Sequence, residues 1–335
     1  MREITYRQAI SEALQEEMER DPAVFLMGED IGLYGGAYGA TRGLFDRFGP
    51  ERVRDTPISE NTLVGAAIGA AMTGMRPVVE IMYVDFLGLA MDQIANQAAK
   101  IRYMFGGKTT VPMVLRTEGG AGRTLGAHHS QSLEAWLLHV PGLKVVMPAT
   151  PYDAKGLLKS AIRDDNPVVF IEHKMLYGSK GNVPDGDYLV PIGKAEVKRP
   201  GRHLTIFTYS RMLATSLKAA GRLAEEGFET EVVDLRTISP LDLDGIADSV
   251  RKTHRALIVH EACKTGGVGA EVAAWISENL FDELDAPVSR VAGADVPLPK
   301  APNLEELAIP SEDSIVRAAR EMLAYSGLLQ KEALV

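Results

Sequence analysis

Runs of consecutive apolar, mostly β-branched residues punctuate the first half of the chain: VFLM at 24–27, PVVEIM at 77–82, VPMVLR at 111–116, LKVVMP at 143–148 and PVVFIEH at 167–173. Continuous rather than alternating apolar runs predict strands buried on both faces, as in a parallel sheet. Between them the period changes to that of a helix. Over 5–19, Thr5 and Gln8 make a capping box, and Tyr6, Ile10, Ala13, Leu14 and Met18 share one face. Strands alternating with helices make the fold class α/β. From 174 to 202 the pattern lapses into Gly, Pro, Lys and Asp (GSKGNVPDGDY, then KRPGRH), the composition of a surface connection. A second series then follows, with strands at 204–209, 231–235, 256–261 and 287–292 and helices at 212–226, 242–253 and 268–283. The expected organisation is two α/β domains: 1–180, a linker at 181–202, and a smaller domain at 203–335.

Hydrophobic residues make up 46% of the chain and charged residues 24%, so disorder and fibrous classes are excluded. The 45 acidic residues exceed the 36 basic ones, and a net charge of −9 argues against a nucleic-acid partner. A single cysteine, Cys263, makes neither an intrachain disulfide nor a cysteine-rich zinc site, and it fits a reducing, cytoplasmic location. Charges thread through MREITYRQAISEAL, so no export signal is expected there. The uncharged stretch from Asn61 to Met75 is shorter than the roughly 20 residues a bilayer requires, so it predicts a buried helix and no membrane partner.

The phosphate-cradling patterns G-x-G-x-x-G and G-x-x-x-x-G-K-[ST] are absent, as is the nucleophile turn G-x-S-x-G. His260-Glu261 does not continue to H-E-x-x-H, and no transition-metal site is expected at His128 and His129. There is also no G-D-G followed by N-N.

Three segments carry candidate chemistry. In DTPISENTLVGAAIGAAMTGMRP, residues 55–77, Ser59 is a plausible N-cap and Glu60 stands in the first turn, where a helix dipole favours an anion. Gly65, Ala66, Gly69 and Ala70 then recur at helical spacing, suited to packing within the domain or to a subunit interface. Residues 117–134, TEGGAGRTLGAHHSQSLE, form a polar glycine-rich loop with Arg123, His128, His129, Ser130 and Gln131, either a solvated loop or a functional one. Imidazole is the side chain that exchanges protons near neutral pH. Around 80–93, Met82 and Phe86 read as core, or as packing for a flat ring.

Taken in order, GEDIG at 28–32, DTPISE at 55–60, RPVVEIM at 76–82, RYMFGGK at 102–108, HHSQS at 128–132, the long run from PGLKVVMP to HKMLYG at 141–178, VVDLRTISPLD at 232–242 and HEA at 260–262 carry a resemblance. From about residue 3 to 325 the chain resembles the beta subunit of the thiamine-diphosphate-dependent decarboxylating component of 2-oxo acid dehydrogenase complexes. That resemblance implies a pyrimidine-binding α/β domain followed by a transketolase C-terminal-type domain. It places Glu60 on a pyrimidine ring nitrogen of the cofactor, favouring the tautomer whose amine activates the thiazolium carbon. It places Phe86 and Met82 beside the pyrimidine, and makes His129 the histidine of substrate handling and acyl transfer. It further implies a structural potassium ion at Met113, Ala161, Ile162, Asp164 and Asn166. The missing G-D-G and N-N assign magnesium and the diphosphate to an alpha subunit, in an α2β2 heterotetramer that serves a lipoyl-bearing dihydrolipoyl acyltransferase. Members act on pyruvate, acetoin or branched-chain 2-oxo acids, expected here in that order. Leu89 stands where pyruvate-type members often carry a polar residue, which leans toward acetoin. A non-catalytic assembly subunit is the reading from a different class.

Overall fold

The computed structural model describes residues 1–329, so residues 330–335 of the expected second domain lie outside the described residues. The chain divides into two compact units: Met1–Gly119 with Trp136–Ile192, and Gly120–Ala135 with the chain from Gly193 onward. The segment 120–135, expected within the first domain, clusters with the second unit.

The first unit contains β1 (Arg2–Thr5), β2 (Val24–Gly28), β3 (Val53–Asp55), β4 (Arg76–Tyr83), β5 (Val114–Gly119), β6 (Lys144–Val146), β7 (Val168–His173) and β8 (Lys180–Val183). Strands β6-β7-β5-β4-β2-β3 lie side by side in that order, every pair parallel. Every residue of β2, β5 and β7 is buried, as the continuous apolar runs require. The helix Tyr6–Arg20 begins with the expected capping box: the Thr5 hydroxyl accepts from the Gln8 amide, and the Gln8 side chain accepts from the Thr5 amide at 2.8 Å. It packs on the helix Pro151–Arg163, and Tyr6, Ile10, Leu14, Leu157 and Phe170 build the core between helices and sheet. Strands β1 and β8 pair antiparallel as a separate ribbon.

The second unit contains β9 (Glu196–Arg199), β10 (Leu204–Thr208), β11 (Thr230–Asp234), β12 (Thr237–Ser239), β13 (Ala256–Cys263) and β14 (Ser289–Gly293). Its sheet runs β14-β13-β10-β11-β9, parallel except for the antiparallel edge strand β9. Helices Met212–Glu225, Leu243–Thr253, Val268–Asn279, Pro302–Ala308 and Glu312–Tyr325 accompany it. Both units are α/β. No helix among the described residues is long and apolar enough to cross a membrane.

The strand expected at 111–116 starts at Val114 and runs to Gly119. Pro112 has no N–H to give a central ladder, so pairing begins beyond it. The helix expected at 268–283 stops at Asn279, and Phe281–Glu283 follows as a separate 3-10 turn.

Candidate functional site

In a parallel sheet the carboxyl ends of all strands share one edge, and ligands bind there. Strands β3, β2 and β4 are neighbours. The chain leaving β3 enters the helix Glu60–Met72, which puts Glu60 at that edge as the first helical residue. The chain leaving β4 carries Met82 at the strand end and Phe86 at the end of the turn Val84–Phe86. The loops are tied together: the Thr56 amide donates to the Gly28 carbonyl at 3.0 Å, and the Gly32 amide donates to the Asp55 carboxylate at 2.7 Å. A Cβ at Gly32 would lie 2.5 Å from that carboxylate and would displace it.

Ser59 does not cap the helix with its side chain, contrary to the expected N-cap. Its hydroxyl instead donates to Thr62 Oγ1 at 2.9 Å. Glu60 is only 7% exposed, and no side-chain or backbone donor among the described residues reaches its carboxylate. Glu29, just after β2, has its carboxyl pKa raised by burial and then by the Glu60 and Asp30 carboxylates. Met82 and Phe86 are partly buried, and the Phe86 ring stands edge-on to Tyr83 with centroids 5.7 Å apart. Glu60, Met82 and Phe86 therefore share one sheet edge.

Beneath that edge lies a buried ionic cluster. Arg116 on β5 donates from Nε to Glu172 Oε1 at 2.7 Å, from Nη2 to Glu172 Oε2 at 2.9 Å and from Nη1 to Glu80 Oε2 at 2.7 Å. Tyr177 adds its hydroxyl to Glu172 at 2.8 Å. Two residues along β5, burial pushes the Glu118 carboxyl up to about 8, against the nearby Lys174 ammonium, which lies 3.9 Å away. Lys174 in turn sits over the Tyr83 ring, 5.1 Å from its centroid. Arg116 and Glu118 project from a strand whose other residues are apolar or small, and a charged residue inside such a run was the one available sign.

His129 belongs to the second unit, in the loop 120–135. It is partly buried beside the exposed His128, with Nδ1 to Nδ1 at 3.3 Å. The loop is held by two carboxylates, the buried Glu305 and the half-buried Glu261, and by Arg211. None of these three was singled out as a site residue from sequence, because their partners are backbone amides and carbonyls that any residue presents.

The expected potassium ligands lie at the amino ends of β5 and β7, the edge opposite Glu60. The Met113 carbonyl accepts from the Val168 amide at 3.0 Å, and the Ala161 carbonyl from the Asp164 amide at 3.3 Å. The carbonyls of Ile162 and Asp164 both accept from Arg76 Nη1 at 3.0 Å. Asn166 Oδ1 accepts from Arg102 at 2.5 Å, and the Asp164 carboxylate takes Lys144 and the Asn166 amide groups. The set is thus brought together, with every one of these oxygens already accepting at least one protein donor and Asp164 Oδ1 accepting two.

Residues 2–180 match the family model described as "Transketolase, pyrimidine binding domain", and residues 193–315 match "Transketolase, C-terminal domain". A "Pyruvate dehydrogenase E1 component subunit beta" of Chaetosphaeridium globosum is 51% identical over 322 residues, covering 96% of this chain and 99% of the relative. The chain belongs to the transketolase-like family of E1 beta subunits. An "Acetoin:2,6-dichlorophenolindophenol oxidoreductase subunit beta" of Cupriavidus necator is 48% identical, covering 96% of this chain and 98% of that one. Among solved structures, a "Split gene transketolase, inactive beta4 tetramer" superposes with a TM-score of 0.80 at 25% identity, covering 96% of this chain and 99% of the other.

For an E1 beta subunit, the residues present fit the pyrimidine half of a thiamine cofactor. The Glu60 carboxylate, on a buried residue and without a protein donor, is free to accept a hydrogen bond from a ring N–H. The side chains of Met82 and Phe86 offer apolar surface for the ring. No pattern in this E1 beta chain matches a diphosphate cradle, and no group of three or more His, Cys, Asp or Glu among its described residues is placed to hold a metal ion.

Proposed function

We propose that this chain is the beta half of a thiamine-diphosphate-dependent dehydrogenase that oxidatively decarboxylates pyruvate and passes the acetyl group to a lipoyl carrier. The observation that carries the reading is the unpartnered, buried Glu60 carboxylate on a chain 51% identical to a pyruvate dehydrogenase beta subunit. When bound, the cofactor supplies the nucleophilic carbon and the electron sink for decarboxylation. Glu60 accepts a hydrogen bond from the protonated ring nitrogen and holds that proton in place, aided by the positive end of its helix. Met82 and Phe86 orient the ring and exclude water from it. His129 exchanges a proton with the substrate or with the accepting lipoyl sulfur.

The remaining half-site is assigned to an alpha subunit that holds magnesium and the diphosphate, in an α2β2 assembly. Leu33 and Ile58, each 80% exposed beside the Glu60 edge, fit an apolar partner surface. Exposed Ala66 and Gly69 on the Glu60 helix fit close approach by a second chain. A dihydrolipoyl acyltransferase is the proposed acceptor. Met113, Ala161, Ile162, Asp164 and Asn166 are the proposed potassium ligands, each main-chain oxygen having a second lone pair. The cytoplasm is the proposed location, on the strength of the single thiol.

Acetoin is the second reading, favoured by the relative at 48% identity and by the apolar Leu89. Co-expression with an alpha-type subunit and dye-linked assays on pyruvate, acetoin and branched-chain 2-oxo acids decide between them. The chain alone, given cofactor and magnesium, is expected to be silent, and turnover without a partner would sink the proposal. In the assembled enzyme, Glu60→Ala should abolish turnover while the thermal transition stays close to that of the wild type.

A further inference from the structure

The loop 120–135 has an unusual backbone. Gly120, Gly122 and Gly126 adopt positive φ values of 86°, 105° and 85°, and Thr124, which is β-branched, does so too at 55°. A β-branched residue in that region is an outlier that persists only where its surroundings over-determine it. The surroundings here are one carboxylate. Glu305, on the helix Pro302–Ala308 and 3% exposed, accepts the Gly122 amide on Oε1 at 3.0 Å. It accepts the Thr124 amide at 3.1 Å on Oε2 and 3.3 Å on Oε1. Closely spaced amides turned inward by positive-φ residues form an anion-binding concavity, and an internal carboxylate occupies this one.

A second anchor stands beside it. Glu261 Oε1 accepts the Ala121 amide at 2.5 Å, and Arg211, 3.4 Å from Glu261, donates to the Ala121 carbonyl at 3.0 Å. The Gly120 amide closes the loop on the Gln131 carbonyl at 2.9 Å, and the His129 amide donates to the Gly126 carbonyl at 3.4 Å. The fixed part of the loop, 121–124, is thus separated from His129 only by a short stretch containing one further glycine turn.

We infer that Glu305 is a positioning residue for His129: its carboxylate is the built-in anion around which the loop folds, and so it sets where the imidazole is presented. This rests on the proposed role of His129, whereas the folding of the loop around Glu305 does not. Charge-assisted hydrogen bonds to backbone amides are stronger than neutral ones, so removing the carboxylate should free the loop while the sheet of the unit stays intact.

The test uses Arg123, an exposed tryptic site inside the loop. In the assembled enzyme, Glu305→Ala should raise the rate of cleavage after Arg123 by at least about tenfold, and sodium formate, a small carboxylate able to enter the emptied concavity, should slow it again. Dye-linked kinetics on the same sample should show a lower kcat with an unchanged KM for the 2-oxo acid, restored in part by formate. Glu305→Gln, which keeps volume and one acceptor oxygen, should be cut at an intermediate rate and serves if the alanine variant does not fold. Wild-type cleavage rates in these variants, or fast cleavage of Glu305→Ala indifferent to formate, would overturn the inference. Faster, formate-sensitive cleavage with unaltered turnover would uphold the anion-centred loop and overturn the positioning of His129 by Glu305.

Discussion

Glu134 closes the loop 120–135 and opens the helix Glu134–Leu138. It is 2% exposed and accepts the Tyr209 hydroxyl at 2.8 Å. Burial pushes its carboxyl up to about 7 from 4.5, with the Glu261 carboxylate adding to the rise and the Tyr209 hydroxyl and its own amide opposing it. A group bound more tightly to its proton in the folded state stabilises the fold fully below the unfolded pKa, and that stability is lost as pH rises through the folded value. Raising the pH from 5 to 8 should therefore remove about 2–3 kcal/mol through this one group. The neutral variant Glu134→Gln keeps an acceptor for Tyr209 but cannot titrate. The chain has two tryptophans. Trp275 lies in the second unit, so a Trp136→Phe background makes urea-induced fluorescence report that unit. The difference in unfolding free energy, wild type minus Glu134→Gln, should fall by about 2–3 kcal/mol across that pH range and level off above pH 8. Parallel pH profiles for the two proteins would refute the argument that burial raises the proton affinity of Glu134.

Two further perturbations probe the first unit. Arg116→Met leaves the buried Glu172 and Glu80 without their guanidinium, and breaking such a pair costs about 3–5 kcal/mol, read as a lowered urea midpoint. Adding Glu172→Gln to Arg116→Met should recover part of that loss, and an unchanged midpoint for Arg116→Met would show the cluster to be solvated. Exchanging NaCl for KCl at equal ionic strength should raise the thermal midpoint, by about 1.4 kcal/mol of stability at tenfold the dissociation constant. A midpoint indifferent to the cation would remove potassium from the Met113 and Asp164 oxygens.

Much of the α/β character was legible because a strand buried on both faces must be apolar throughout. Strands β2, β4, β7, β10 and β11 lie within a residue of where the apolar runs place them. The cap of the first helix was equally legible, since Thr5 and Gln8 need only each other's backbone. Strands β3, β8, β9 and β12 were not, being three or four residues long and largely polar, with their hydrogen bonds supplied by distant segments. Ser59 shows the converse failure: a good capping residue type, turned toward Thr62 by a backbone that the adjoining loops constrain.

The candidate site divides in the same way. By itself the sequence determined the α/β class and the family resemblance, and that resemblance pointed to Glu60, Met82, Phe86 and His129 as the proposed site residues, each a residue type at a fixed place in a motif. Only the tertiary structure decided that Glu305 accepts backbone amides of the loop bearing His129, that Arg116 is shared by Glu172 and Glu80, and that burial raises the proton affinity of Glu118 and Glu134. Hydrophobic patterning reports how strongly each position avoids water. It carries no information about which distant polar group will be left facing which other one once the water is gone, and that pairing sets charge, proton affinity and loop geometry.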